Sequence, residues 1–439
     1  MKQLIALSSV VVLTFMMLTC SGDPVVEEAA GELPDGPHPV IVVAVDGLRA
    51  DWLGCYGGPE LTPAIDALAA ESVRFDSAWA QAPEMLPSLA ALLSGMYPTS
   101  NGLRSPGDEL QAEAVTLAEL ANGLGMTTAM FVEGRPGGAD YGLAQGFGSY
   151  QVVPTPGVDA IDWMGRNAAE DFLLVMAGWG SRALEEAAEM LGDEGAVDPG
   201  RIAEVLASRG SDDPELFDDA ELARVRDWYA AWVQVVDRFV AGLVAELGAS
   251  GLDRRATLIL VGTNGFALQE HGDLFGETVY APATRVPLLI RLPGGSSPVV
   301  VDNVVEVLDL MPTVADLLGA EVPAAVQGAS LLPVIEGTST PPYVAFGETP
   351  QGAGQRFVAL AGYRAVATGD ELELFHTAVD HLELENLAAA EPDKLAKLAN
   401  DLEAWSKMVA ATSLDPELRT DAELDDETLK QLKSLGYIQ

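Results

Sequence analysis

Short apolar runs that end at polar residues recur along the chain and carry its main structural signal. Three of them cover residues 40–45, 256–261 and 286–291. Runs this short, rich in β-branched residues and almost free of polar ones, are typical of strands buried on both faces of a parallel sheet. Helical periodicity occupies parts of the chain between them, at residues 88–94, 116–124 and 219–247. The alternation predicts an α/β fold, with a mostly parallel sheet sandwiched by helices.

The pattern changes after about residue 343. Residues 357–366 and 371–375 have the composition of short hairpin strands, and residues 387–409 have that of a helix. We therefore expect an α/β domain over residues 40–342 and a smaller C-terminal α+β subdomain over residues 343–439.

The first 20 residues have the features of an export signal. Lys2 precedes an apolar run over residues 4–18 that is short for a membrane span and ends just before Cys20. This arrangement resembles a lipoprotein signal peptide with Cys20 as the acylated residue; an ordinary cleaved signal peptide is the alternative. Residues 21–39, acidic and containing Pro and Gly, have the composition of a flexible tether. We expect a bacterial cell-envelope protein anchored to a membrane at Cys20, and Ser21 favours the outer membrane by analogy.

The charge balance is strongly acidic. The chain has 24 basic and 66 acidic residues, a net charge of −42. Such a charge disfavours nucleic acid and anionic lipid surfaces as partners, and it repels sulfated polysaccharides unless a local basic patch intervenes. Cys55 is the only cysteine besides Cys20, so an acylated Cys20 leaves no pair for an intrachain disulfide.

Short motifs follow one another from the first predicted strand to the C-terminus. They are DGLRADWLGCYG at residues 46–57, TP at 62–63, IDALA at 65–69, QEHG at 269–272, RVPLLI at 285–290, DLMPTV at 309–314, ELENL at 383–387 and LKSLGY at 432–437. In this order they resemble the sulfatase branch of the alkaline phosphatase superfamily. The resemblance implies an alkaline-phosphatase-like sheet and, in active members, hydrolysis of sulfuric esters.

The same resemblance exposes a changed nucleophile segment. Sulfatases have C-x-P-S-R, in which the Cys becomes a formylglycine and the Arg steadies it, whereas residues 85–89 here read MLPSL. Met85 thus occupies the nucleophile position and Leu89 the arginine position. A thioether has no proton to lose and no attacking oxygen, so it cannot be activated as a nucleophile. Ser88 is an alternative nucleophile, but it would need His271 as its base.

The resemblance also implies one calcium-like ion held by oxygen ligands. Asp46 and Asn264 match two of its ligands, while Thr263 stands where a second charged ligand belongs and Gly47 can supply none. One carboxylate and one amide make a poor cage for a dication. No cofactor is therefore firmly expected, and calcium or another divalent cation stays an open alternative. Asp46 could instead cap the helix that follows its strand.

The cations that hold sulfate in this family are largely missing. No lysine occurs between Lys2 and Lys394. His271 matches the substrate-contacting histidine of the family, and the alternative is a structural histidine in a packed loop. Arg49, Arg104 and Arg135 could still reach the pocket. The simpler interpretation is that each lies on the surface or pairs with another side chain of its helix.

Three functional hypotheses follow. The favoured one is a catalytically impaired pseudo-sulfatase that binds a ligand, a glycan or a protein in the former active-site cleft. The second is an active metal-dependent hydrolase of sulfuric or phosphoric esters, in which Asp46, Asn264 and His271 assist an attacking water. The third is an acidic envelope scaffold that binds cations or basic partners diffusely.

Overall fold

A computed structural model describes residues 36–417, apart from 106, 135–140, 180, 196–200, 203, 206–215, 275, 339–343 and 350–353, together with residues 428 and 430. The predicted signal peptide and most of the tether lie outside these residues. Acylation at Cys20 therefore stays a prediction. Within the described part, no helix is both long enough and apolar enough to cross a membrane.

The main sheet has eight strands and is mostly parallel, as the apolar runs predicted. In chain order the strands are β1 Val40–Val45, β2 Val73–Trp79, β3 Thr127–Glu133, β4 Ser149–Val153, β5 Phe172–Gly178, β6 Thr257–Gly262, β7 Arg285–Arg291 and β8 Val299–Glu306. They lie side by side in the order β4-β3-β5-β1-β6-β7-β2-β8. Only β7 runs antiparallel to both of its neighbours.

Strand β1 lies inside the sheet and pairs in parallel with β5 and β6. All six of its residues are buried, which explains why its sequence is continuously apolar rather than alternating. Because β3, β5 and β6 run in the same direction, their carboxyl ends meet that of β1 at one edge of the sheet.

Helices cover both faces of the sheet. They are α1 Pro63–Ala69, α2 Met85–Ser94, α3 Pro98–Asn101, α4 Leu117–Gly123, α5 Pro156–Arg166, α6 Ser181–Gly195, α7 Asp219–Ser250, α8 Ala281–Thr284, α9 Leu310–Leu318, α10 Leu332–Ile335 and α11 Pro392–Ala411. Residues of α2, α4 and α9 share one buried apolar cluster with one face of the sheet. The long helix α7 contributes Tyr229 and Trp232 to the cluster on the other face. The expected α/β sandwich is confirmed.

A second, antiparallel sheet follows the main one. Its strands are β9 Val344–Glu348, β10 Gln355–Leu360, β11 Tyr363–Thr368 and β12 Glu371–Phe375, in the order β12-β11-β10-β9. The strand predicted over residues 357–366 is in fact two strands, because Ala361 and Gly362 adopt φ values of 51° and 78° in a tight turn. The last predicted helix begins later than residue 387, at Pro392, whose fixed φ suits a first helical turn.

Candidate functional site

The chain leaves β1 through a tightly held turn that carries Asp46. The Asp46 N–H donates to the carbonyl of Gly178 at the end of β5, over 3.0 Å. Gly47 then adopts a φ of 79°, which favours glycine. The hydroxyl of Tyr229 donates to the Gly47 carbonyl over 2.7 Å and accepts from the Arg49 N–H over 3.0 Å. Helix α7 thereby fixes the turn from the opposite side.

Asp46 sits in an electrostatically unfavourable place for a carboxylate. The pKa of Asp46 is raised to about 6 from its usual value of 3.8, mainly by burial and also by the charges of Glu133 and Glu84. A hydrogen bond with the Asn264 side chain acts in the opposite direction. Burial and the neighbouring carboxylates therefore favour the neutral form of Asp46 at pH values where an exposed aspartate is ionised.

Thr263 and Asn264 lie beside Asp46, at the end of β6, and they are bonded to one another. The Thr263 hydroxyl donates to the Asn264 Oδ1 atom over 2.9 Å, and Asn264 Nδ2 donates to the Gly265 carbonyl over 3.0 Å. Both side chains are buried. The amide oxygen that could ligate a cation thus already accepts a hydrogen bond.

This donor set is a poor fit for calcium. Calcium takes six to eight oxygen ligands and draws most of its affinity from several carboxylates. Asp46 brings one carboxylate, Asn264 an engaged amide and Thr263 an engaged hydroxyl. Among the described residues, no group of three or more His, Cys, Asp or Glu side chains is arranged to hold a metal ion.

The nucleophile position begins helix α2. Met85 is its first residue, half-buried, and packs against the apolar cluster beneath it. The Ser88 hydroxyl donates to the carbonyl of Ala82 over 2.9 Å and is fully buried, so it is not presented as a nucleophile. Leu89, at the arginine position, is also fully buried, inside the same cluster.

His271 is fixed toward the C-terminal subdomain. Its ring stacks on Tyr280 with centroids 3.7 Å apart and planes 4° from parallel. Its Nε2 atom lies 2.8 Å from the Leu382 carbonyl, an acceptor, so this nitrogen carries the proton. The arrangement resembles a packed structural histidine more than a base aimed at a substrate.

Arg49 is fully engaged in ion pairs and is not available to an anionic ligand. It contacts the carboxylates of Asp51 at 2.7 Å and Glu270 at 2.9 Å, and it donates to the Phe266 carbonyl over 3.0 Å. Burial raises the pKa of the Glu348 carboxyl, and the positive charge of Arg104 acts on it in the opposite direction. Arg135 lies outside the described residues.

Acidic residues near Asp46 were missed in the sequence. Glu133 is the last residue of β3, and Glu84 directly precedes Met85. Burial and the charge of Glu277 raise the pKa of Glu84. Glu133 could have been identified from the sequence, because residues that end parallel strands meet at the carboxyl edge of the sheet. Two carboxylates thus act on Asp46 through their charge, where hydrolysis of a sulfuric ester requires donors and positive charge.

Family models match most of the chain. A model described as Sulfatase matches residues 38–152 and 158–320. A model described as N-sulphoglucosamine sulphohydrolase, C-terminal, matches residues 269–404. The two matches together span the main sheet and most of the second sheet with its helix.

Known proteins with similar sequences or folds agree with these models. Arylsulfatase A of Homo sapiens is 27% identical over 359 residues, which cover 72% of this chain and 71% of that protein. N-acetylglucosamine-6-O-sulfatase of Bacteroides thetaiotaomicron is 23% identical over 408 residues, covering 69% and 72%. The solved structure of the phosphonate monoester hydrolase of Agrobacterium radiobacter superposes with a TM-score of 0.69 at 21% identity, over 85% of this chain and 96% of that one.

Proposed function

The chain belongs to the sulfatase family, and on that basis we propose that it is a pseudo-sulfatase: a cell-envelope lipoprotein with a sulfatase fold that no longer hydrolyses esters. It uses the former active-site cleft to bind a ligand or a protein partner. The observation that carries the proposal is Met85 at the nucleophile position, since a thioether cannot attack an ester.

The surroundings of Met85 support the loss of hydrolysis. Leu89 is buried in the apolar core, and His271 is held by Tyr280 and the Leu382 carbonyl. Asp46 shares the cleft with other carboxylates, which would repel the charge of a sulfate group. Losses at separate catalytic roles are difficult to explain as a change of substrate specificity.

The charge of the cleft indicates the kind of ligand. Glu84 and Glu133 act on Asp46 through their negative charge, so the cleft favours neutral or positively charged groups over anions. A neutral glycan or a basic protein segment fits this electrostatic surface better than a sulfated sugar does.

A hydrolysis assay tests the proposal directly. The purified protein and its Asp46→Ala variant are incubated with 4-nitrophenyl sulfate and with 4-nitrophenyl phosphate, with and without calcium. We expect nitrophenol release at the rate of the buffer control for both proteins. Release by the native chain that disappears in Asp46→Ala would overturn the pseudo-sulfatase proposal.

One observation favours a second candidate function. With a pKa raised to about 6, Asp46 could act as a general base on a water molecule, because catalytic bases work best with a pKa near the working pH. If Asp46 acts in this way, the rate of ester hydrolysis should increase as the pH rises through about 6. A rate that is detectable, has that profile and is lost in Asp46→Asn would establish it in place of the first proposal.

The lipid anchor is proposed from the N-terminus alone. Cys20 follows an apolar run and precedes an acidic tether, as in lipoproteins that are acylated after signal cleavage. Cells fed a labelled fatty acid should incorporate it into the native chain and not into Cys20→Ser, and only the native chain should sediment with the outer membrane. Equal labelling of both chains would remove the anchor from the proposal.

A further inference from the structure

A cavity of about 600 Å³ lies between the main sheet and the C-terminal sheet. Residues of β2 and β8 form one wall, and the turn between β10 and β11 forms part of the other. Strand β8 is the edge strand of the main sheet, four positions from β1. At about 4.8 Å between neighbouring strands, β8 lies roughly 19 Å from β1, which leads into Asp46, and β7, which begins with Arg285, lies roughly 10 Å from it. Asp46, Met85 and Asn264 are not among the described residues that line the cavity, so it is distinct from the Asp46 site.

Arg285, the first residue of β7, supplies a cation to this cavity. Its Nη2 atom donates to the Asp76 carbonyl over 2.9 Å, and its Nη1 atom lies 3.1 Å from His381 Nδ1. It forms no ion pair with a carboxylate in the part of the chain that the structure covers. A guanidinium has five N–H donors in a planar fork, so several remain for an oxyanion.

His381 adds a second polar group beside Arg285. Its Nδ1 atom also lies 2.8 Å from the Thr377 carbonyl, while the described residues offer its Nε2 atom no hydrogen-bond partner. The ring lines the cavity together with Arg285. Because a carbonyl only accepts, the shorter contact makes Nδ1 the donor to Thr377, which leaves Nε2 of the neutral ring as an acceptor. The spare donors of this corner are therefore those of Arg285.

The part of the cavity wall formed by β8 offers acceptors as well as donors. Asp302 and Asn303 of β8 line it, and Asp302 is solvent-exposed. The carboxylate of Asp76 is already balanced by Arg74, 2.7 Å away. Carboxylate and amide side chains bond hydroxyl groups well, because they combine strong acceptors with an amide donor. The cavity therefore combines a site for one oxyanion with a wall suited to hydroxyl groups.

We propose that this cavity binds a sugar residue that carries one oxyanion. Arg285 holds the anionic group, a carboxylate or a sulfate, in a bidentate contact, and the Nε2 atom of His381 accepts from a ring hydroxyl. Asp302 and Asn303 bond the ring hydroxyls. The volume lies within the usual range for small-molecule pockets and exceeds the needs of a single sugar ring. The proposal is independent of what the acidic cleft binds.

Calorimetric titration of the full-length protein tests this site. The ligands are D-glucuronate, D-glucose 6-sulfate, neutral D-glucose and inorganic sulfate. We expect saturable binding of at least one acidic sugar with a dissociation constant of about 1 mM, corresponding to about −4 kcal/mol, and no saturable binding of glucose. The acidic sugar that binds more tightly identifies whether the site prefers a carboxylate or a sulfate.

Variants distinguish this cavity from the cleft. Arg285→Gln should weaken binding of the acidic sugar at least tenfold, and Asp302→Ala should weaken it by a smaller factor. Asp302 is exposed on an edge strand, so its variant keeps the test valid if Arg285→Gln fails to fold. Asp46→Ala should leave the affinity unchanged even if the cleft has another ligand.

Several results would overturn the proposal. One is that neither acidic sugar binds saturably, or that glucose binds as tightly as the acidic sugars do. Another is that inorganic sulfate binds as tightly as the sugar sulfate. The last is that neither Arg285→Gln nor Asp302→Ala changes the affinity for the acidic sugar.

Discussion

Buried charged residues are paired at the junction with the C-terminal subdomain, whereas the buried carboxylate of Asp46 has acidic neighbours. At the junction, Arg364 and Glu383 are fully buried and paired at 2.6 Å, and Glu383 also accepts the Ala281 N–H over 2.8 Å. The Arg364 guanidinium lies over the Phe357 ring, 3.9 Å from its centroid. At the end of β1, Asp46 has no cationic partner among the causes of its pKa shift, and burial and the charges of Glu133 and Glu84 raise its pKa.

The two regions differ in what their motif residues contribute to the fold. Glu383 belongs to the ELENL motif and holds the second sheet onto the segment before β7. Met85 and Leu89 belong to the segment that resembles the nucleophile motif, and both pack in the apolar cluster. The junction is thus held by a buried ion pair, and the start of α2 is held by apolar contacts.

The largest expected effect comes from breaking the junction. Arg364→Ala leaves the buried carboxylate of Glu383 without its cation, and we expect the free energy of unfolding to fall by about 3–5 kcal/mol. Urea denaturation measures it. Lys407→Ala, at an exposed pair with Glu403, is the matched control and should cost less than about 1 kcal/mol. Similar losses in the two variants would mean that the buried junction pair contributes no more to stability than an exposed ion pair does.

Truncation of Leu89 tests whether the arginine position has joined the core. Leu89→Ala removes a fully buried side chain, so the free energy of unfolding should fall by about 2–4 kcal/mol. Leu86→Ala, one turn earlier and only half-buried, should cost less in the same denaturation experiment. A negligible loss for Leu89→Ala would show that this position still faces an open pocket.

The pH dependence of stability tests the electrostatics of the cleft. The pKa of Asp46 is raised to about 6, so the folded chain binds this proton more tightly than the unfolded chain does. The free energy of unfolding should therefore fall as the pH rises from about 4 to about 6, and this contribution should be level above that window.

The comparison is with Asp46→Asn, which cannot ionise at this position. Between about pH 4 and about pH 6 the free energy of unfolding should fall less in this variant than in the native chain, and the difference should reach about 2 kcal/mol. Asp309, whose pKa burial raises to about 7, is present in both proteins and cancels in the difference. Parallel curves for the two proteins would contradict the raised pKa of Asp46, which comes mainly from burial.

The smallest expected effect is that of calcium. A ligand bound only by the folded state would add about 2.7 kcal/mol of stability at a hundredfold excess over its dissociation constant. We expect no saturable increase in the melting temperature of the chelator-treated protein when calcium, magnesium or manganese is titrated. An increase that is saturable and disappears in Asp46→Ala or Asn264→Ala would restore the metal site and favour the hydrolase.

The sequence predicted the main sheet well because its strands are buried on both faces and carry continuous apolar runs. Periodicity says nothing about strand direction, so the antiparallel course of β7 was not accessible from its residues. The turn at Ala361 and Gly362 was missed because a single glycine within an apolar stretch is a weak signal.

For the site, motif order identified Asp46, Met85 and His271, but not their bonding. The Arg49 guanidinium pairs with Glu270, 221 residues away, and His271 bonds a carbonyl 111 residues away. Such contacts depend on how the sheet brings distant loops together. Whether a motif residue is free to meet a ligand is therefore a property of the folded chain, and the roles of these residues stay predictions until the variants are measured.

The buried position of Leu89 also limits which side chains residue 89 can carry. An arginine there would place a guanidinium among Leu92, Leu93 and their neighbours in the apolar cluster. Such a change carries the cost of an unpaired buried charge. A sulfatase-type arginine at this position would therefore require a carboxylate partner introduced beside it, or a start of α2 that turns the side chain out of the core.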